Sequence, residues 1–167
     1  MPEQILAIIA LGSNQGDAQQ NVLRAIERLR EMSTRPLLKS ALRETSPVDC
    51  PPNSPRFVNA VVGLIPHERE TPESLLQRLQ QLEIEFGRQP KKVLNEPRRL
   101  DLDLIAFGDQ VRATPELTLP HPRAHLRRFV LEPLSEICPD LVLPGQNKNV
   151  KQLLNDLPLV EVDVRRL

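Results

Sequence analysis

Ile5 to Leu11 is an unbroken apolar run closed by Gly12, Ser13 and Asn14, the pattern of a central strand running into a turn. Behind Asp17, a residue suited to capping, Val22, Ala25, Ile26, Leu29 and Met32 recur at helical spacing until Ser33 to Pro36 break the period. Leu38 to Thr45 and Phe57 to Ile65 predict strands, the second rich in Val and bracketed by Pro55 and Pro66. Thr71 and Pro72 form a cap and first-turn pair, after which Leu75, Leu76, Leu79, Leu82 and Phe86 repeat on one helical face as far as Gly87. Residues 88 to 97 lack a sustained period and are basic and proline-bracketed, which predicts a loop. A short hairpin through Gly108-Asp109, a turn at Pro120 to Pro122, a helical segment over Phe129 to Ile137 and a late strand carrying Val160, Val162 and Val164 complete the reading. No internal repeat or low-complexity tract interrupts it.

Between the basic loop and the hairpin lies Arg98-Arg99-Leu100-Asp101-Leu102-Asp103-Leu104. Successive strand side chains face opposite ways, so the three leucines share a core face while Asp101 and Asp103 share the other. Carboxylates roughly 7 Å apart along a strand repel, and a divalent cation or a nearby arginine offsets this. Hard oxygen ligands on a rigid strand suit Mg²⁺, which draws its remaining ligands from water and substrate phosphates. An Asp-Leu-Asp triplet alone also fits an ordinary half-exposed strand, so the spacing leaves both readings open.

Strand, helix, strand, strand, helix, strand, with elements appended, is the order of an α+β ferredoxin-like split βαβ sandwich. An antiparallel sheet with helices packed on one face and extra C-terminal elements is expected. With 167 residues, 40% hydrophobic and 26% charged, one domain over 1–167 is expected rather than two. The 22 basic and 22 acidic residues balance, which gives no field for nonspecific nucleic-acid binding. Cys50 and Cys138 are the only cysteines, no cleavable apolar leader precedes Ile5, and no apolar run approaches the roughly 18 residues of a membrane span. A soluble, cytoplasmic protein without a membrane or nucleic-acid partner is expected. With neither Trp nor Tyr, Phe57, Phe86, Phe107 and Phe129 are the only rings able to stack on a planar ligand.

The chain resembles the hydroxymethyldihydropterin pyrophosphokinases of folate biosynthesis almost end to end. The resemblance rests on Ala10-Leu11-Gly12-Ser13-Asn14, Glu44-Thr45-Ser46-Pro47-Val48, Phe57-Val58-Asn59-Ala60-Val61, Leu82-Glu83 with Gly87-Arg88, Pro97-Arg98-Arg99-Leu100-Asp101-Leu102-Asp103, Leu119-Pro120-His121-Pro122 and Arg127 to Leu134. It implies transfer of pyrophosphate from ATP to the hydroxymethyl group of 6-hydroxymethyl-7,8-dihydropterin, with AMP released. Such transfer is a task of positioning and charge neutralisation.

By the same resemblance Asp101 and Asp103 match ligands for two Mg²⁺ ions, with Asp103 also orienting the pterin hydroxyl or accepting its proton. Arg88 and Arg98 match arginines brought onto the transferring phosphates, and Lys91 a lysine of the same loop. Gln80, Glu83, Thr118, His121 and Arg127 match further ATP-side positions. On the pterin side, Phe57 and Phe129 match the stacking pair, Asn59 the amide that reads the ring edge, Thr45, Pro47 and Val48 the pocket rim, and Asp101 a further contact. Dihydropteroate synthase is the implied functional neighbour. Asn59 also stands out physically, because an amide within the apolar strand Val58 to Val62 is costly to bury unpaired.

Two departures from the family pattern are visible: Asn95-Glu96 precede Pro97-Arg98 where Trp-Gly is usual, and Pro122 follows His121 where an aromatic residue is common. They imply a retained reaction with altered loop closure. A catalytically impaired pterin or nucleotide sensor on the same fold is the alternative expectation.

Overall fold

Four antiparallel strands form the centre of the protein in a computed structural model that describes residues 4–45, 55–87, 100–158 and 164–167. The apolar run becomes β1 (Ala7–Ser13), paired on one side with β4 (Phe57–Leu64) and on the other with β5 (Asp101–Phe107). Between β1 and β4 in sequence come α1 (Ala18–Arg30) and the short strands β2 (Leu38–Lys39) and β3 (Arg43–Thr45), both on the far edge of β4. α2 (Pro72–Glu85) joins β4 to β5. The order β5-β1-β4-β3, closed by β8 (Val164–Arg166), is the expected split βαβ arrangement with one strand added.

Local chemistry explains the helix ends. Asp17 accepts the N–H of Gln20 at 3.1 Å, and Thr71 and Ser74 satisfy one another's backbone N–H groups at 3.1 and 2.9 Å in a reciprocal capping box. Leu75, Leu79 and Leu82 of α2 join Val22, Ala25, Ile26 and Leu29 of α1 against Ile9, Leu11, Ala60, Val62, Leu102 and Leu104 of the sheet. Phe107 is 1% exposed in this core.

The structure corrects three expectations. The predicted strand 38–45 is interrupted at Ser40, whose N–H and Oγ both bond the backbone of Val61, leaving two short strands rather than one. The chain turns at Gly108 (φ 56°), but the hairpin beyond it pairs β6 (Arg112–Ala113) with β7 (Thr118–Leu119), and neither returns to β5. Helices also cover both faces of the sheet rather than one: α3 (Arg128–Ile137) and α4 (Val150–Asp156) build a second core with Ile8, Ala10, Val61, Ile105 and Ala106. The side bearing the acids is therefore itself partly a core face. Sequence reading passed over α4, although its Asn149–Gln152 capping box and buried Val150 and Leu153 carry the usual signals in only seven residues. Of the late-strand valines, Val164 lies in β8, while Val160 and Val162 fall outside the described residues.

Both cores meet in a β-bulge. Register between β1 and β5 shifts between Ile8 and Ile9, so Ile105 and Ala106 both serve the second core and Phe107 returns to the first. Phe107→Ala leaves a cavity at the end of the first core and is expected to cost about 3–5 kcal/mol, read as a lowered denaturant midpoint at unchanged m-value.

Candidate functional site

Leu100, Leu102 and Leu104 are 1%, 5% and 4% exposed, facing α1 and α2, and this anchors β5 with Asp101 and Asp103 half-buried on the opposite face. Pairing on both sides of β1 then sets two rows across the sheet. Asn59 of β4, Gly12 of β1 and Asp101 of β5 stand in one; Val61, Ala10 and Asp103 stand in the next. The middle position of each row is a glycine or an alanine, so no long side chain rises between the amide of Asn59 and the acids. Neighbouring strands lie about 4.8 Å apart, which places the Asn59 and Asp101 backbones roughly 10 Å from each other.

Asn59 is 9% exposed, and its Nδ2 donates to Thr45 Oγ1 at 3.3 Å. Phe57, two residues away on the same face, is half-buried. Phe129, in the first turn of α3, is 46% exposed, with the Arg127 guanidinium 5.4 Å from its ring centroid. By contrast Phe107 is core, and Phe86 packs at the edge of the first core beneath Arg24. The four rings thus divide, and the two expected to stack on a planar ligand are the two with accessible surface on or beside the acid-bearing face.

His121 reaches the site through β5. Its N–H donates to the carbonyl of Ile105, the bulged residue, at 2.8 Å. Its Nδ1 accepts the N–H of Arg123 at 3.2 Å, so in the neutral ring Nε2 carries the proton and is the available donor. Burial, aided by Arg127 and Arg123 and opposed by Asp101, holds its pKa below the ordinary histidine value. A neutral imidazole beside two guanidinium groups is suited to donating one hydrogen bond to a phosphate oxygen without adding charge.

Other expected residues lie nearer the open edge of β5. Gln80 is exposed on α2 and Thr118 exposed on β7. Glu83, one helical turn beyond Gln80, is 4% exposed, and its Oε2 accepts the N–H of Leu102 at 2.9 Å, between the two acids. Since β5 has a strand partner on one side only, this carboxylate takes the place of a second partner at the point where the acids are held. Pro47, Val48, Arg88, Lys91 and Arg98 lie outside the described residues, as do Asn95 and Glu96. Sequence reading missed the small floor at Ala10 and Gly12 and the strand-edge role of Glu83. Gly12 lay within a quoted motif, whereas nothing local announces that Glu83 binds a backbone group 19 residues on.

Asp101 and Asp103 fit a magnesium site through their chemistry: two hard oxygen donors on alternate positions of one hydrogen-bonded strand. Among the described residues no group of three His, Cys, Asp or Glu side chains is placed to hold a metal unaided. A cation here would take its other ligands from water and from a phosphorylated substrate. No helix among the described residues is long and apolar enough to cross a membrane.

Comparison with known proteins shows the family and the fold. The family model for 7,8-dihydro-6-hydroxymethylpterin-pyrophosphokinase matches residues 8–139. The 2-amino-4-hydroxy-6-hydroxymethyldihydropteridine pyrophosphokinase of Pseudomonas aeruginosa is 38% identical over 158 residues, covering 93% of each chain. That of Bacillus subtilis is 38% identical, covering 80% of this chain and 78% of its own. In fold, the chain resembles Plasmodium falciparum HPPK-DHPS crystallised with pteroate, with a TM-score of 0.70 at 14% identity, over 92% of this chain and 42% of that one.

Two outcomes test the local chemistry. Glu83→Ala strands the buried Leu102 N–H and is expected to cost about 1–3 kcal/mol, whereas Glu83→Gln retains an acceptor and costs less; denaturant unfolding separates them. Because the fold lowers the His121 pKa, its contribution to stability is fully present above about pH 6.5 and is lost as pH falls through the folded value. Melting temperatures taken between about pH 7.5 and about pH 5 should therefore fall more for the wild type than for His121→Asn.

Proposed function

Because the chain belongs to the 7,8-dihydro-6-hydroxymethylpterin-pyrophosphokinase family, we infer that its acid-bearing sheet face carries out the family's reaction with the residues described above. The enzyme transfers pyrophosphate from ATP to the hydroxymethyl group of 6-hydroxymethyl-7,8-dihydropterin in folate biosynthesis. The observation that carries the residue assignment is the row Asn59, Gly12, Asp101: a group able to read a heterocycle edge stands two strands from a carboxylate, across a floor without large side chains.

In this reading the pterin lies across β4 and β1, its polar edge against Asn59 and its faces between Phe57 and Phe129, with Thr45, Pro47 and Val48 at the rim. Its hydroxymethyl group points toward β5. There Asp103 orients the hydroxyl and accepts its proton as the oxygen attacks the β-phosphorus, and the bond from that phosphorus to the α–β bridging oxygen breaks to release AMP. Asp101 and Asp103 would hold two Mg²⁺ ions, with Asp101 also touching the pterin. Magnesium held there would supply neutralisation of phosphate charge and polarisation of the attacked phosphorus. His121 donates from Nε2 to a phosphate oxygen, and Arg127 supplies positive charge beside it. Arg88, Lys91 and Arg98 bear on the transferring phosphates, while Gln80, Glu83 and Thr118 line the nucleotide side. Catalysis is then a matter of placing a hydroxyl in line with a phosphorus whose charge has been offset.

The whole chain acts as one pyrophosphokinase domain located in the cytoplasm. Its product passes to a dihydropteroate synthase, a neighbour suggested by the fused HPPK-DHPS proteins that share the fold.

The test is product identity. AMP should form from ATP and magnesium only when hydroxymethyldihydropterin is present, and ADP or pterin-independent hydrolysis would contradict the reading. Asp101→Ala and Asp103→Ala should each lower kcat by at least about a hundredfold while leaving the melting temperature near wild type. Near-normal turnover in either variant would remove that carboxylate from the metal site.

A further inference from the structure

Gly12 is the one residue of the Asn59, Gly12, Asp101 row that the reaction leaves without a role. It lies within the regular extended backbone of β1, so a left-handed conformation is not the reason for a glycine there. Space is the reason. A Cβ built on Gly12 would stand 3.0 Å from Asn59 Oδ1, the nearest atom, with the Val58 carbonyl next at 4.0 Å. The Asn59 amide is thus confined from two sides: Nδ2 is held by Thr45 Oγ1 at 3.3 Å, and Oδ1 lies over the bare backbone of Gly12. With the donor end toward β3 and the acceptor end toward β1, the amide has a defined polarity across the sheet.

We propose that Gly12 is a positioning residue for pterin specificity, its missing Cβ providing the space that fixes the orientation of the Asn59 amide. This rests on the assignment of Asn59 to the pterin made above. An amide distinguishes ligands by which end donates and which accepts, so a rotation that leaves packing intact still mismatches a planar heterocycle with an ordered set of ring donors and acceptors. At 3.0 Å a new Cβ meets the far end of one side chain rather than backbone. Asn59 swings aside, the sheet stays as it is, and the loss falls on ligand recognition. A glycine kept for backbone reasons would show the reverse, a loss of stability with specificity intact.

The experiment is a double-substitution cycle read by calorimetric binding of hydroxymethyldihydropterin in the presence of magnesium and a nonhydrolysable ATP analogue. Gly12→Ala should weaken pterin binding about tenfold or more, with affinity for the analogue within about twofold and the melting temperature near wild type. In an Asn59→Ala background, Gly12→Ala should cost almost nothing further, because the group through which it acts is gone. The side-chain NH₂ resonances of Asn59, identified by their loss in Asn59→Ala, should shift in ligand-free Gly12→Ala while most backbone amides stay in place. Pterin affinity unchanged in Gly12→Ala but weakened in Asn59→Ala would overturn the inference alone. So would additive losses in the double variant, or a Gly12→Ala chain that fails to fold, since the claim requires that only Asn59 yields. Asn59→Ala with wild-type pterin affinity would overturn the assignment of Asn59 itself, and the inference with it.

Discussion

The site depends on β1 being hydrogen-bonded along both edges. A strand paired on each side cannot slip by one residue without exchanging the side chains of its two faces, each of which fills a different core. Ile9 and Leu11 are committed to the α1 and α2 core, and Ile8 and Ala10 to the α3 and α4 core, so both faces resist any change of register. With β1 fixed, Gly12 must lie between Asn59 and Asp101, and Ala10 between Val61 and Asp103. The alignment of the Asn59 amide with the acid pair is thus a consequence of core packing and strand register.

Among the described residues, helices do not cover the second face of the sheet completely. α3 and α4 seal Ile8, Val61 and Ile105, and the part beyond them carries Gly12, Asn59, Asp101 and Asp103. Core and site therefore share one surface, which makes the acids rigid while leaving them accessible. Glu83 extends the same economy to the edge of β5, where its carboxylate occupies the N–H of Leu102 from the side of α2. Its bond to Leu102 ties this segment of β5 to α2. Here that segment holds the two acids.

Charge at the site is arranged locally in a chain with no net charge. Acids line β5, while Arg127 and a neutral His121 come from the segment bonded to the bulge at Ile105. The bulge lets β5 change faces between Leu104 and Phe107, so one short strand serves the first core, the acid pair and the second core in succession. Negative groups on β5 and positive groups on a separate element face a common site, so the acids call for a cation of their own while the arginine and histidine do not.

Most of the element order was legible in the sequence because its signals are local. The alternation of Leu100 to Leu104 already placed Asp101 and Asp103 together, opposite the first core, and the Leu75 to Phe86 stripe with Thr71 and Gly87 already bounded α2. The motifs from Ala10 to Leu134 likewise pointed to the family. Tertiary structure alone decided what rests on pairs distant along the chain: the break at Ser40 opposite Val61, the pairing of β6 with β7, the second helical layer, the bond from Leu102 to Glu83, and the crowding of Gly12 by Asn59. Periodicity and capping report the conformation of neighbours within a few residues, whereas strand register and space beside a glycine are set by elements that meet only when the chain has folded.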